Sequence, residues 1–437
     1  MKLADRVRRA LGSDAGPVRA NGAEGSARVA ETEGRPDHRI YELRRAIGRI
    51  ESRWAGEVSA AVTRPVLRAR AAGPAWVRTS AVPMLHERGC AREERFGDTR
   101  LEPPGSEALA ELLRVAVGTG VMRPEPHELL FLDTETTGLS RDAGTLPFLI
   151  GVGSFRPEDR RFAVQQFLVR DPAEEAVVLE ALEQRLAAAK VLVTFNGRSF
   201  DLPLLRNRGV LARMRLSLGL PHVDLLLLAR RLFRGRLPSL RLGELERSVL
   251  GFHREGDVEG ALVPSIYLDF LRSGRWDQMA RVLEHNQLDV MALAPLLGLV
   301  ASHVADPLEW AEDAEELHAL GVLHLERGDP ELGERSLVRA LELARASGTR
   351  REVLVSLARR LRRTGRRAEA ATLWEEYRRH FPQHPLGWIE LAKHHEHVTR
   401  DLARALALAE GAPGDHDDGS RVARLRRRLG RGAADGA

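Results

Sequence analysis

The sequence is poor in cysteine, in lysine and in long apolar runs, and each scarcity excludes a class of protein. Its single cysteine, Cys90, rules out an intrachain disulfide and a zinc site built from cysteines, which favours a reducing, cytoplasmic setting. The N-terminus is charged and lacks the apolar core of a signal peptide, so we expect none. No run of about 18 apolar residues is present, so we expect neither a membrane span nor a membrane partner.

Charged residues, by contrast, are abundant. They make up 30% of the chain, and the 67 basic residues, nearly all arginine, exceed the 62 acidic ones to give a formal net charge of +5. This excess permits a polyanionic partner without establishing one. With 437 residues, 43% of them hydrophobic, the chain is long enough for about two to four domains with buried cores.

Residues 1–120 are predicted to be largely disordered or irregular, because Gly, Ala, Arg and Glu recur there without sustained periodicity. The exception is a predicted helix near residues 37–54, where apolar residues repeat at three- and four-residue steps. Such a stripe favours docking on the protein's own domain, and a coiled coil or partner helix is the alternative.

The first chemical signal is a pair of acids at the end of an apolar strand. Leu129 to Leu132 form an apolar run, and Asp133 and Glu135 follow it two residues apart. Because side chains alternate along a strand, the two carboxylates share a face, where a hard divalent cation would neutralise them. The alternative is a strand end with two solvated acids.

Two further acidic positions follow in the chain. Strands predicted at 148–155, 161–169 and 191–195, with a helix at 173–189, indicate an α/β sheet, and Asp201 follows the last of these strands. An isolated Asp there is more often a helix N-cap. On a later helix His285 and Asp289 lie one turn apart, which also occurs in surface pairs.

Several other features receive a plain structural interpretation. Charged residues between 220 and 275 are interpreted as solvated or capping, and none is assigned to catalysis; they are Asp224, Arg241, Glu244, Arg254 and Asp257. Pro295 is expected to kink or end the helix that carries His285.

The three stretches FLDTETTGL, VTFNGRSFDLPLL and EHNQLDVMALAPL, in this order, resemble the DEDD exonuclease superfamily, and most of all its YprB-type branch. The resemblance covers roughly residues 128–300 and implies a ribonuclease H-like fold, a mixed sheet with flanking helices, over about 121–305. One departure is the spacing. In this chain His285 stands four residues before Asp289. In the family that four-residue spacing usually goes with Tyr, whereas His more often stands five residues before the last Asp.

The resemblance implies a metal-dependent exonuclease that hydrolyses nucleic acid by a two-metal mechanism. The substrate it implies is a single-stranded 3′ end. The resemblance assigns two divalent cations, Mg²⁺ or Mn²⁺, to Asp133, Glu135, Asp201 and Asp289. His285 takes the general-base position. The implied substrate-binding residues are Thr134, Asn196 and Gly197.

The C-terminal part has a different pattern. Leu, Gly, Ala and Trp recur with a period near 34 residues over 311–412, which resembles all-α tetratricopeptide repeats and suggests a protein partner. Because repeats form their own core, we expect this part to fold separately from 121–305. Residues 413–437 are predicted to be a flexible basic tail. The rival to an exonuclease is a non-catalytic scaffold that binds nucleic acid or protein through the repeats.

Overall fold

The computed structural model of the chain describes residues 85–89, 95–118, 122–138, 144–158, 160–414 and 420–434. All of them fall within one compact unit, Pro65–Ala437. The predicted helix at 37–54 and the predicted disorder over residues 1–84 lie outside the described residues.

A six-stranded mixed sheet is the centre of the first half. The strands in chain order are β1 (Leu85–Gly89), β2 (Arg95–Phe96), β3 (Thr99–Arg100), β4 (Leu129–Thr136), β5 (Pro147–Phe155), β6 (Phe162–Leu168), β7 (Val191–Thr194) and β8 (His222–Asp224). The sheet order is β1-β6-β5-β4-β7-β8, and β2 and β3 pair separately. Strands β1, β6, β5 and β4 are antiparallel neighbours, whereas β4, β7 and β8 run parallel. The predicted mixed sheet is confirmed.

Helices flank this sheet and then form the rest of the chain. They are α1 (Ser106–Val117), α2 (Glu175–Ala188), α3 (Asp201–Leu211), α4 (Leu225–Leu232), α5 (Leu242–Ser248), α6 (Val263–Ser273), α7 (Asp277–Ala305), α8 (Pro307–Trp310), α9 (Ala314–Arg327), α10 (Pro330–Leu343), α11 (Ser347–Arg363), α12 (Arg367–His380), α13 (Pro385–His394), α14 (Leu402–Glu410) and α15 (Ser420–Ala434). A π-helical turn, His395–Thr399, separates α13 from α14.

Strand β4 shows how the sequence divides the core into two layers. Leu129 and Phe131 belong to a cluster that includes α1, α4 and α7, while Leu130 and Leu132 belong to another that includes α2 and α3. Each layer takes alternate residues of one strand, as the two-residue period of a strand requires. Odd-numbered side chains of β4 therefore face the layer of α1, α4 and α7, and even-numbered ones face the layer of α2 and α3.

Helix α7 is the longest described helix and crosses the sheet. Pro295 was expected to kink or end this helix, but the helix does not end there and continues to Ala305. The segment from Met291 to Leu297 is buried on all sides, so tertiary packing outweighs the lost backbone hydrogen bond. By length and composition α7 could span a membrane, but 61% of its most apolar window is buried inside the protein. A buried core helix passes the same test, so this is weak evidence for a span.

The repeat helices share a core with the sheet domain. One continuous cluster contains Phe131 of β4, Leu297 of α7, Leu317 and Leu320 of α9, and Ala340 of α10. A second cluster joins Leu337 of α10 to Leu357 and Leu361 of α11, and a third belongs to the later helices. This differs from the separate folding expected for 311–412, because the first helix pair packs against α7 and not on its neighbouring repeat alone.

Two segments predicted to be irregular or flexible are ordered. Helix α1 lies within the predicted irregular stretch, and its Leu112 and Leu113 are fully buried. The predicted flexible tail contains α15, whose Leu425 is buried against α12 and α14. Arg421 of α15 donates at 2.8 Å to the buried carboxylate of Glu396, so the basic residues that suggested a loose tail instead anchor a helix.

Candidate metal centre

The two acids of β4 face helix α7. Asp133 and Glu135 lie on the same face of β4 as Leu129 and Phe131, which pack against α7. On α7, His285 and Asn286 precede Asp289 by four and three residues, a spacing that places each of them on the same face as Asp289, toward the strand end. Strand and helix together therefore deliver their polar residues to one place.

Three residues form the tightest group. Glu135, His285 and Asp289 each offer one ligand atom, and these atoms lie within 4.8 Å of one another. His285 Nε2 is 3.8 Å from Glu135 Oε1 and 3.6 Å from Asp289 Oδ2. The carboxylate oxygens of Glu135 and Asp289 are ligands that suit a hard divalent cation, and the imidazole of His285 lies beside them.

Asp201 enters the site from the other layer of the sheet. It is the first residue of α3, and its carboxylate accepts a hydrogen bond from the hydroxyl of Thr134. The N-cap position belongs to Phe200, so the N-cap reading of Asp201 does not hold. Thr134 is buried and its hydroxyl holds Asp201, while its predicted contact with substrate stays a prediction. Asp201 lies outside the tight group of three but acts electrostatically on Asp133 and Glu135.

Burial and mutual repulsion dominate the electrostatics. Burial raises the pKa of Asp133 well above its usual range, and the charges of Asp289 and Asp201 raise it further. Burial, followed by the charges of Asp133 and Asp289, does the same to the pKa of Glu135. Burial also raises the pKa of Asp201 to about 6, against the opposing hydrogen bond from Thr134. A cation at this place would relieve all three penalties, since it favours the charged forms.

His285 is held in one tautomer by a neighbour that the sequence did not identify. Its Nδ1 lies 2.7 Å from Asp257 Oδ1, and a carboxylate there can only accept. Nδ1 therefore donates to Asp257, and this contact directs Nε2 toward Glu135 and Asp289. Burial opposes ionisation of Asp257, but the hydrogen bond and charge of His285 outweigh it and lower the pKa of Asp257.

Arg254 is the second residue that sequence reasoning missed. It pairs with Glu246, Asp257 and Asp289, and its side chain is only 10% exposed. The interpretation of Arg254 and Asp257 as solvated or capping residues is therefore corrected. No local pattern reveals them, because their partners on α7 lie 28 to 35 residues along the chain.

A buried amide pair fixes Asp133. Asn286 Nδ2 donates at 2.8 Å to Asp133 Oδ2, and Gln166 Nε2 donates at 2.9 Å to Asn286 Oδ1. Gly151 makes this approach of α7 to β5 possible, because a Cβ there would lie 2.4 Å from Asn286 Oδ1. The carboxylate orientation is thus built from three strands and one helix.

The loop after β7 holds the two remaining predicted substrate residues. Asn196 has a positive φ of 66°, and its backbone N–H donates at 2.8 Å to Asp224 Oδ1. A Cβ on Gly197 would lie 2.3 Å from Thr194 Oγ1, so the glycine serves close packing inside the protein. Contact of either residue with a nucleotide stays a prediction. Asp224 does cap α4, as its interpretation as a capping residue implies, and it also anchors this loop.

Comparisons with known proteins agree with this architecture. A family model of the RNase H superfamily matches residues 130–301, and a tetratricopeptide-repeat model matches residues 350–394. A protein of Bacillus subtilis (strain 168), described as the uncharacterized protein YprB, is 31% identical over 294 residues, which cover 66% of this chain and 70% of that protein. The chain belongs to the YprB family. The sequence resemblance stated for it is confirmed.

Membership of the RNase H superfamily supports nuclease-type activity, and nucleases of this superfamily generally use divalent metals. The tetratricopeptide match supports an interaction with protein. Among solved structures, the family B DNA polymerase from Pyrobaculum calidifontis aligns over 48% of this chain and 30% of its own length. That alignment has 14% identity and a TM-score of 0.33, too low to carry an argument.

Proposed function

We propose that this protein is an exonuclease that hydrolyses phosphodiester bonds at the 3′ end of single-stranded nucleic acid. The supporting observation is that Glu135, His285 and Asp289 meet beside Asp133 and Asp201 in an RNase H-type domain. Burial raises the pKa of Asp133, Glu135 and Asp201, so keeping these three carboxylates charged costs free energy in the absence of a cation. A charge-compensated reaction centre accounts for all of them.

In this proposal Asp133, Glu135, Asp201 and Asp289 hold two divalent cations, Mg²⁺ or Mn²⁺. Cations held by these residues would supply Lewis-acid polarisation of the phosphate and would lower the pKa of the attacking water. His285 accepts the proton of that water at Nε2, because its other nitrogen is committed to Asp257. Asn286 and Thr134 keep Asp133 and Asp201 in place.

The repeats are proposed to bind a protein partner. Helices α11 to α13 enclose a groove of about 400 Å³ lined by Trp374 and by cationic residues, among them Arg362, Arg367 and Lys393. Repeat proteins commonly bind segments of other proteins in surface grooves of this kind. The scaffold alternative assigns the whole function to such surfaces and none to the acidic site.

Release of nucleotides decides between the two. The full-length protein is incubated with 5′-labelled and 3′-labelled oligonucleotides, single-stranded and duplex, DNA and RNA, with Mg²⁺, with Mn²⁺ or with EDTA. We expect the 5′-labelled single strand to shorten progressively and the 3′-labelled one to release labelled mononucleotide at once, with no cleavage in EDTA. Metal-independent binding without cleavage of any substrate would favour the scaffold.

A further inference from the structure

A buried ion pair lies directly behind the acidic site. Glu246 of α5 is 1% exposed at its side chain, and it accepts hydrogen bonds from both Nε and Nη2 of Arg254, the first at 2.6 Å. A bidentate pair of this kind fixes the plane of the guanidinium as well as its position. Glu246 therefore holds the Arg254 side chain in place independently of the contacts that Arg254 makes with the site.

The remaining donors of Arg254 reach Asp289 and Asp257, and Nη1 also lies 3.3 Å from His285 Nδ1. Nη2 donates to Asp289 Oδ1, and Nη1 lies 3.1 Å from Asp257 Oδ2. With Oδ1 of Asp289 occupied in this way, it is Oδ2 that faces His285 Nε2. With Oδ2 of Asp257 occupied, it is Oδ1 that receives His285 Nδ1. One guanidinium thus sets the orientation of both carboxylates.

We propose that Arg254, anchored by Glu246, is a positioning residue of the metal centre. Its planar fork directs Asp289 Oδ2 and, through Asp257, His285 Nε2 toward Glu135. The proposal rests on the proposed function for its catalytic readout but not for its metal-binding readout. The role belongs to the geometry of the fork rather than to the positive charge alone.

Geometry and charge make different predictions for Arg254→Lys. Lysine keeps the charge but offers a point donor without the planar fork, so it cannot hold Glu246, Asp257 and Asp289 together. A role of charge alone predicts that lysine replaces arginine. A positioning role predicts a loss in Arg254→Lys, because support behind a ligand typically contributes about 10–100-fold to metal affinity or activity.

The test measures Mn²⁺ binding by calorimetry, hydrolysis of a labelled single-stranded oligonucleotide, and melting in EDTA. The proteins are wild type, Arg254→Lys, Glu246→Gln and a control, Arg208→Gln. Arg208 pairs with Glu175, both 13% exposed, in the same domain but not among the site residues. We expect about 10-fold or greater loss of Mn²⁺ affinity and of kcat in the first two variants, an unchanged KM, and a control within twofold of wild type.

The outcomes separate the proposals. Arg254→Lys with wild-type Mn²⁺ affinity and kcat overturns the positioning role, as does loss of folding in both site variants, which would make the pair purely structural. If wild type binds Mn²⁺ but cleaves nothing, the proposed function fails while the affinity of Arg254→Lys still decides the positioning role. If wild type binds no Mn²⁺, both fail.

Discussion

At the residue scale, the site places Nε2 of a histidine next to acids that repel one another. Because Asp257 fixes the tautomer, the spacing that departs from the family pattern still presents the ring nitrogen to Glu135 and Asp289. Asp257, from the loop before α6, therefore orients the ring of His285 even though His285 stands four and not five residues before Asp289.

His285→Ala tests the proton-accepting role. We expect kcat for oligonucleotide hydrolysis to fall about 10²–10⁴-fold, because a positioned base contributes this much, while the Mn²⁺-induced rise in melting temperature is nearly kept. The control is His127→Ala, an exposed histidine at the opposite end of β4. A rate within about twofold of wild type would remove His285 from the mechanism.

Asp201→Asn tests how the raised pKa of Asp201 makes stability depend on pH. The pKa rises from 3.8 to about 6 on folding, so the folded state binds a proton more tightly than the unfolded chain. Metal-free stability from this group is then present below pH 4 and lost as pH rises toward 6. Asn cannot ionise, so in EDTA the variant should match wild type near pH 4 and melt higher at pH 7.

Asp329→Asn is the control of opposite sign. Asp329 caps α10, and hydrogen bonds from the backbone N–H groups of Leu332 and Glu331 lower its pKa. Its stabilisation is present above pH 4 and lost as pH falls. We expect its variant to melt lower than wild type at pH 7. If Asp201→Asn also melts lower at pH 7, repulsion at the site is not the dominant effect.

At the element scale, the distance between β5 and α7 sets the geometry of Asp133. Gly151→Ala should push α7 away, since its Cβ would lie 2.4 Å from Asn286 Oδ1 and 2.8 Å from Val290. We expect a loss of about 1–3 kcal/mol in the free energy of unfolding, as is typical of overpacking, together with reduced hydrolysis. Urea unfolding and the oligonucleotide assay measure the two effects.

Gly243→Ala is the matched control in helix α5, where an added Cβ meets nothing within 4 Å. Alanine is the better helix former, so this variant should be as stable as wild type or more so. Equal effects of the two substitutions would mean that the contact of α7 with β5 does not constrain the site.

At the scale of the whole molecule, the sheet domain and the first repeat helices stabilise each other. A chain ending at Ala305 removes Leu317, Leu320 and Leu323 from the core shared with Phe131. Each buried Leu contributes about 1.5–3 kcal/mol, so we expect this chain to melt broadly or aggregate. A chain ending at Ala346 keeps α9 and α10 and should melt cooperatively.

Circular dichroism melts of the two truncated chains and the full-length protein make the comparison. If the chain ending at Ala305 melts within a few degrees of the full-length protein, the shared core carries little stability. In that case the independent folding expected from the repeat pattern is restored.

The sequence by itself determined the elements that local patterns encode. Two-residue alternation predicted that Asp133 and Glu135 share a face, helical spacing predicted the same of His285 and Asp289, and the three motifs in order predicted the mixed sheet. The recurrence of apolar residues with a period near 34, by its resemblance to tetratricopeptide repeats, predicted the repeats. The two shared faces were predictable because the period of a strand or helix is a property of neighbouring residues, whereas the mixed sheet and the repeats followed from resemblance to known families.

Only the tertiary structure decided the contacts between distant segments. Arg254 and Asp257 read as ordinary loop charges until folding brought them against α7, and α15 read as a loose tail until Glu396 met its arginines. Pro295 continues its helix because the surrounding core holds it. Such outcomes depend on burial and on partners remote in sequence, and no local period encodes either.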